Sequence, residues 1–283
     1  MKKIRELVLL CMLLCTAGCQ DSNTSTNSTT NKNNNSTTTV IEKSVEYTIT
    51  IKTLNNYRVN DVEVNIYDGT ELIGKEVTDF TGIVEVEVPN KELTVKLTNL
   101  PKGMYELEEG YKLDGKGGEV TFKLGSRVIE EEIPTNKKFK LGDIMYDCNF
   151  VDTTGKEYSL AETLKTKDLV LINFWGIFCG PCKMEFPNFN LGYEFFSDRV
   201  EYFVMSIDSR DTVDIIEEFM EDNDIIFPMG RDLDNLYDHF NFGGYVPATL
   251  LVNKYGYITF CEVGSLTSED AFIELLEENL KFK

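Results

Sequence analysis

Apolar and polar residues alternate with a period of two through much of residues 45–134. Tyr47-Thr48-Ile49-Thr50-Ile51, Val62-Glu63-Val64-Asn65-Ile66 and Val84-Glu85-Val86-Glu87-Val88 each turn one face toward a core and the other toward water, as half-buried strands do. Turn signals at Asp68-Gly69, Thr81-Gly82, Pro89-Asn90, Lys102-Gly103 and Asp114-Gly115 separate the runs, and no useful length of helical spacing interrupts them. One apolar and one polar face per strand predicts an antiparallel β-sandwich of about 90 residues.

The pattern changes around Pro134 to Leu141, where Lys137, Lys138 and Lys140 break the alternation. Across residues 138–283, Leu169 to Trp175 is a continuous apolar run, as expected of a strand buried on both faces. Val200 to Ile207 and Ala248 to Val252 read the same way, and the turn at Lys254-Tyr255-Gly256 leads into a hairpin partner at Tyr257 to Val263. Val213, Ile216 and Phe219 fall at helical spacing, and a last helix starts at Thr267 or Ser268 with Glu269 and Asp270 in its first turn. Strands alternating with helices predict an α/β fold, a central sheet with helices on both faces.

The N-terminus follows neither pattern. Lys2, Lys3 and Arg5, an apolar run from Leu7 to Leu14, and small residues ending at Cys19 form a secretory signal peptide over residues 1–19. The run is too short for a permanent span, which needs about 20 residues. Residues 20–40 are almost entirely Ser, Thr and Asn; they have no apolar side chains to bury against their ordering entropy and read as a disordered tether.

Composition narrows the chemistry. The 283 residues carry 28 basic and 48 acidic side chains, net -20, which excludes nucleic-acid binding through counterion release. With residues 1–19 removed the chain has 25 bases and 47 acids, net -22, which argues against a basic patch for anionic lipid. The single His, His239, argues against a Ser-His-Asp hydrolase and a multi-His metal centre. Seven Cys are too few for a disulfide-dense scaffold, so their positions matter more than their number.

Two of them, Cys179 and Cys182, follow a buried strand and open a helix in Trp175-Gly176-Ile177-Phe178-Cys179-Gly180-Pro181-Cys182. A thiolate is the attacking species in disulfide exchange, and a helix N-terminus favours it through unpaired N–H groups and the positive end of the dipole. Cys182 lies one turn deeper on the same side, where it can attack a mixed disulfide on Cys179. Pro181 falls in the first turn, where no N–H is needed. Half a zinc site and a purely structural disulfide are the other readings; no metal is expected, because Cys148, Cys261 and His239 are isolated from the pair. Cys148 and Cys261 either form a second, structural disulfide or remain two free thiols.

Phe174-Trp175 with Cys179-Gly180-Pro181-Cys182 resembles the thioredoxin signature. From Leu141-Gly142-Asp143 through Asp152-Thr153-Thr154-Gly155-Lys156 to the C-terminus the chain is similar to the TlpA/ResA-like extracytoplasmic thiol-disulfide oxidoreductases. The resemblance implies a thioredoxin-like domain with an added N-terminal hairpin and a redox-active Cys179–Cys182 disulfide as the only redox group. It also implies Glu185, in Cys182-Lys183-Met184-Glu185-Phe186-Pro187, as the proton acceptor that tunes the thiols; Asn173 stands where thioredoxins carry a buried Asp. Val246-Pro247 matches the cis-proline loop, so Trp175, Gly180, Pro181, Val246 and Pro247 are expected to meet the substrate. The implied activity is protein-disulfide reduction, with oxidised proteins as substrates and a membrane thiol carrier of the CcdA/DsbD type as electron donor; a disulfide-forming oxidant and a surface binding protein are the rivals. Thr16-Ala17-Gly18-Cys19 resembles a bacterial lipobox, which implies a lipid on Cys19 and a place at the outer face of the cytoplasmic membrane; an ordinary signal peptide is the alternative. Val62 to Asp68, Val77 to Gly82 and Leu100 to Tyr105 look like the Cna-B/transthyretin-like modules of bacterial surface proteins, either spacers or partner-binding units.

Overall fold

The computed structural model describes residues 43–108 and 110–281; the signal peptide, the tether and Cys19 lie outside the described residues. Eight strands come first: β1 (Ser44–Thr53), β2 (Glu63–Asp68), β3 (Glu71–Val77), β4 (Ile83–Pro89), β5 (Leu93–Thr98), β6 (Met104–Glu106), β7 (Tyr111–Leu113) and β8 (Gly118–Ser126). They form two four-stranded sheets, ordered β4-β1-β8-β6 and β3-β2-β5-β7. Period-two alternation does the work: along β1, Tyr47, Ile49 and Ile51 are buried while Glu46, Thr48 and Thr50 are not. These residues share one apolar core with Val64 and Ile66 of β2, Val95 of β5 and Leu124 of β8.

The strand pairing departs from the antiparallel expectation in one place. β1 and β8 run parallel, with Ile49 opposite Val120 and Ile51 opposite Phe122. Parallel neighbours need a long crossover, and here six strands separate the pair, so no local turn signal could announce it.

The α/β half contains β9 (Asn149–Val151), β10 (Glu157–Ser159), α1 (Leu160–Thr163), β11 (Leu169–Trp175), α2 (Gly180–Phe196), β12 (Val200–Ser206), α3 (Val213–Asp222) and β13 (Met229–Arg231). A 3-10 turn at Leu236–His239, β14 (Ala248–Asn253), β15 (Ile258–Val263) and α4 (Glu269–Leu280) complete it. β9 and β10 pair as the added antiparallel hairpin. The main sheet is ordered β13-β12-β11-β14-β15, with β11 parallel to β12 and antiparallel to β14.

β11 is buried at all seven positions because both faces of the sheet are covered. Leu169, Leu171 and Trp175 join a core with Phe186 and Phe189 of α2, Phe219 of α3 and Leu276 of α4. Val170, Ile172 and Phe174 face the opposite core, with Phe150, Leu160 and Phe240. Helix α2 comes close to its neighbours at Gly192, where a Cβ would sit 2.6 Å from Phe272 and 2.7 Å from the Tyr202 hydroxyl.

The division between the halves falls earlier than the Pro134–Leu141 expected from charge. Val128 and Ile129 pack into the α/β core, because the Ile129 amide donates to the Met145 carbonyl at 3.0 Å and draws the segment onto that half. Gly256 makes the same junction possible from the other side: its φ is +81°, and a Cβ there would meet the Val128 amide nitrogen at 2.7 Å. Among the described residues, no helix is long and apolar enough to cross a membrane.

Candidate active site

The site grows from the carboxyl end of β11. The strand ends at Trp175, the chain turns so that the Cys179 amide donates to the Gly176 carbonyl at 2.9 Å, and α2 begins. Cys179 is the residue that caps α2; its Sγ accepts from the Cys182 amide at 3.1 Å, while Pro181 stands in the first turn without needing a donor. Cys179 and Cys182 are joined in a disulfide, with Cα atoms 5.3 Å apart. Cys182 is fully buried, and Cys179 is half-buried at the surface. Only one sulfur of the pair is therefore accessible to another molecule, and after reduction its thiolate would keep the helix amide as a donor.

Val246–Pro247 is a cis peptide, as the loop resemblance implies. The Val246 carbonyl oxygen lies 3.6 Å from Cys179 Sγ. Trp175, Gly180, Pro181 and Val246 line one groove of about 630 Å³ with Phe178, Ile207 and Tyr245; Pro247 is not among its lining residues. Trp175 enters only as a wall. Its side chain is fully buried, with the ring 5.2 Å from those of both Phe186 and Phe219. The exposed apolar contacts are Phe178 and Tyr245, 77% and 70% accessible. No sequence signal marks Phe178 as exposed, because a residue just before a helix cap commonly packs back against the first turns of its helix. Tyr245 follows Gly243-Gly244, both in the left-handed region, and a glycine loop with an aromatic tip marks a surface feature.

Glu185 stands on α2 one helical turn after Cys182 and is fully buried. Asn173 Nδ2 donates to Glu185 Oε1 and to Thr249 Oγ1, both at 2.9 Å, and the Leu266 amide donates to Glu185 Oε2 at 2.9 Å. Burial raises its pKa from 4.5 to about 7, partly opposed by the Leu266 amide and the Asn173 amide. Asn173 is thus no inert replacement for an acid; it positions the one on α2.

The remaining cysteines do not pair. Cys148 and Cys261 are both free, which excludes the second disulfide. Cys148 is tied to the start of α1, its carbonyl accepting from the Leu160 amide at 3.0 Å, while Cys261 is fixed opposite Leu250 in the register of β14 and β15. Burial pushes both thiols up, Cys261 to about 11, so neither is an activated nucleophile. The His239 Nδ1 lies 3.1 Å from the Lys137 carbonyl oxygen, away from the cysteine pair's own contacts. Among the described residues, no cluster of three or more His, Cys, Asp or Glu could hold a metal ion.

A strand–turn–helix unit that presents one accessible sulfur of a disulfide, with a cis-proline loop across from it and a buried acid one helical turn on, defines a thioredoxin-like thiol-disulfide exchange protein. Residues 141–261 match the AhpC/TSA family. The chain is 34% identical over 123 residues to the thiol-disulfide oxidoreductase ResA of Bacillus subtilis, covering 42% of this chain and 66% of that protein. It is 32% identical over 124 residues to ResA of Bacillus cereus (43% and 69%) and 30% over 143 residues to ResA of Geobacillus kaustophilus (50% and 78%). The thioredoxin domain of a thiol-disulfide oxidoreductase from Bacteroides vulgatus aligns with 51% of this chain and 100% of its own, at 22% identity and a TM-score of 0.42. The chain belongs to the ResA-type thiol-disulfide oxidoreductases. The family match begins at residue 141, so the β-rich half lies outside it.

Proposed function

We propose that this protein is a membrane-tethered, extracytoplasmic disulfide reductase acting on oxidised proteins. The observation that carries the reading is the half-exposed Cys179 at the N-terminus of α2, 3.6 Å from the Val246 carbonyl and disulfide-bonded to a fully buried Cys182. The cycle balances as follows. In the reduced enzyme the Cys179 thiolate attacks one sulfur of a substrate disulfide, forming a mixed disulfide and releasing a substrate thiolate. Cys182 gives its proton to Glu185 and attacks Cys179 Sγ; the second substrate thiolate leaves and the Cys179–Cys182 disulfide forms. Two electrons have passed to the substrate, whose thiolates take up protons. A pKa of about 7 suits Glu185 to this proton, because a base poised near ambient pH is the efficient one.

Substrate lies along the groove at Gly180, Pro181 and Val246, with Phe178 and Tyr245 beside it. No cofactor is needed beyond the disulfide, and a membrane dithiol carrier of the CcdA/DsbD type returns it to the dithiol state. A lipid on Cys19 and the tether of residues 20–40 would hold the enzyme at the outer face of the cytoplasmic membrane, with the β-rich half, read as a Cna-B/transthyretin-like module, as a spacer or docking unit. An insulin-reduction assay tests the activity: wild type reduces insulin and Cys179→Ser does not. A wild type that does not reduce insulin would favour the rival reading, a surface binding protein with the β-rich half as its functional module.

A further inference from the structure

We propose that Asp211 is a positioning residue of the redox loop and sets its equilibrium toward the disulfide; the inference rests on the exchange chemistry assigned to Cys179 and Cys182. Asp211 is fully buried at the carboxyl end of the sheet, just before α3. Its Oδ2 accepts from the Ile177 amide at 2.9 Å and from the Ser206 hydroxyl at 2.5 Å. Ile177 is two residues before Cys179, in the turn that the Cys179 amide closes onto Gly176. A Cβ on Gly176 would lie 3.8 Å from the same carboxylate oxygen. The other oxygen, Oδ1, is buried and takes no hydrogen bond from a protein group.

The geometry does two things. The Ile177 bond ties the turn down, so that Phe178 stands out at the groove lip. There the Arg210 guanidinium lies 5.2 Å from the ring centroid and is held by a bidentate pair with Asp208. The second effect is electrostatic. A fully buried carboxylate with two protein donors, bonded to the loop itself, disfavours a second negative charge beside it. The reduced enzyme carries that charge as the Cys179 thiolate and the oxidised enzyme does not, so Asp211 shifts the couple toward the disulfide. The enzyme is the stronger reductant for it.

The test is the redox equilibrium of the protein with the glutathione couple, read as the ratio of dithiol to disulfide form. Asp211→Asn keeps an oxygen for the Ile177 amide and removes the charge. The expected result is an equilibrium constant about threefold to tenfold further toward the dithiol, where tenfold is about 30 mV for this two-electron couple. Ser206→Ala keeps the charge and removes one of its donors, and is expected to move the constant the other way, about twofold. An Asp211→Asn protein that folds and titrates within experimental error of wild type overturns the proposal, since a merely structural role would leave the couple unmoved. If Asp211→Asn does not fold, the sign of the Ser206→Ala shift decides: toward the disulfide supports the role, no shift or the opposite shift overturns it. A wild-type pair that does not equilibrate with glutathione at all overturns both this proposal and the exchange reading beneath it, and is distinguishable from a wild type that equilibrates alongside unshifted variants.

Discussion

In the β-rich half the buried polar side chains are short and neutral: Thr53, Asn65, Thr78 and Ser126. Their bonds serve the chain itself, as when the Thr78 hydroxyl donates to the Val59 carbonyl and accepts from the Val62 amide, both at 3.0 Å. In the α/β half carboxylates are buried as well: Asp152, Glu185 and Asp211. Asp152 closes a local turn by accepting from the Thr154 and Lys156 amides. Glu185 instead sits on the cysteine pair's own helix and takes donors from Asn173 of β11 and the Leu266 amide, and Asp211 reaches across to the Ile177 amide in the turn before the pair. Burying a charge costs several kcal/mol unless it is well paired, so a fold keeps one where the charge has work beyond stability. The difference between the halves marks where that work is, independently of any cysteine.

The sharpest way to break this contrast is at the sulfur. Cys179→Ser is expected to lower disulfide reduction to background while leaving the melting temperature of the dithiol protein within a few degrees, measured by insulin turbidity and calorimetry. A stability effect comes next. Phe186 is almost fully buried against Trp175 and Phe227, so Phe186→Ala is expected to cost about 3–5 kcal/mol in urea unfolding.

Glu185→Gln follows, and its sign can be worked out. Below about pH 4.5 the carboxyl is protonated in both folded and unfolded chains and costs nothing. As pH rises to about 7 the unfolded chain ionises while the folded one holds its proton, so wild type loses stability over that window, by about 3 kcal/mol in full. The Gln variant is expected to lack this slope in unfolding measured from pH 4 to 8, and its exchange rate to lose the inflection near pH 7. An unchanged thiol titration would remove Glu185 from the mechanism. The smallest effect belongs to Phe80, 90% exposed on the turn between β3 and β4: Phe80→Ala is expected to change stability by less than about 0.5 kcal/mol.

Much of this was legible along the chain because it is local. Period-two runs at Tyr47 to Ile51 and Val84 to Val88 became β1 and β4, and the apolar run at Leu169 became β11. The cysteine pair, the cis proline and Glu185 were found through short motifs at fixed spacing. What escaped depends on contacts distant in sequence. The parallel register of β1 with β8 joins residues about seventy apart. Val128 and Ile129 look like any sandwich residues until Met145 claims them. Asp211 carries no motif; only the fold brings it to the Ile177 amide.

The reduction potential of the Cys179–Cys182 pair, measured by equilibration against glutathione and a thioredoxin reference, bears most directly on whether this site delivers electrons. A value near the thioredoxin end, about -270 mV, is expected for a reductant. A value near -120 mV, at about the level of the strongest oxidants of this fold, would contradict it.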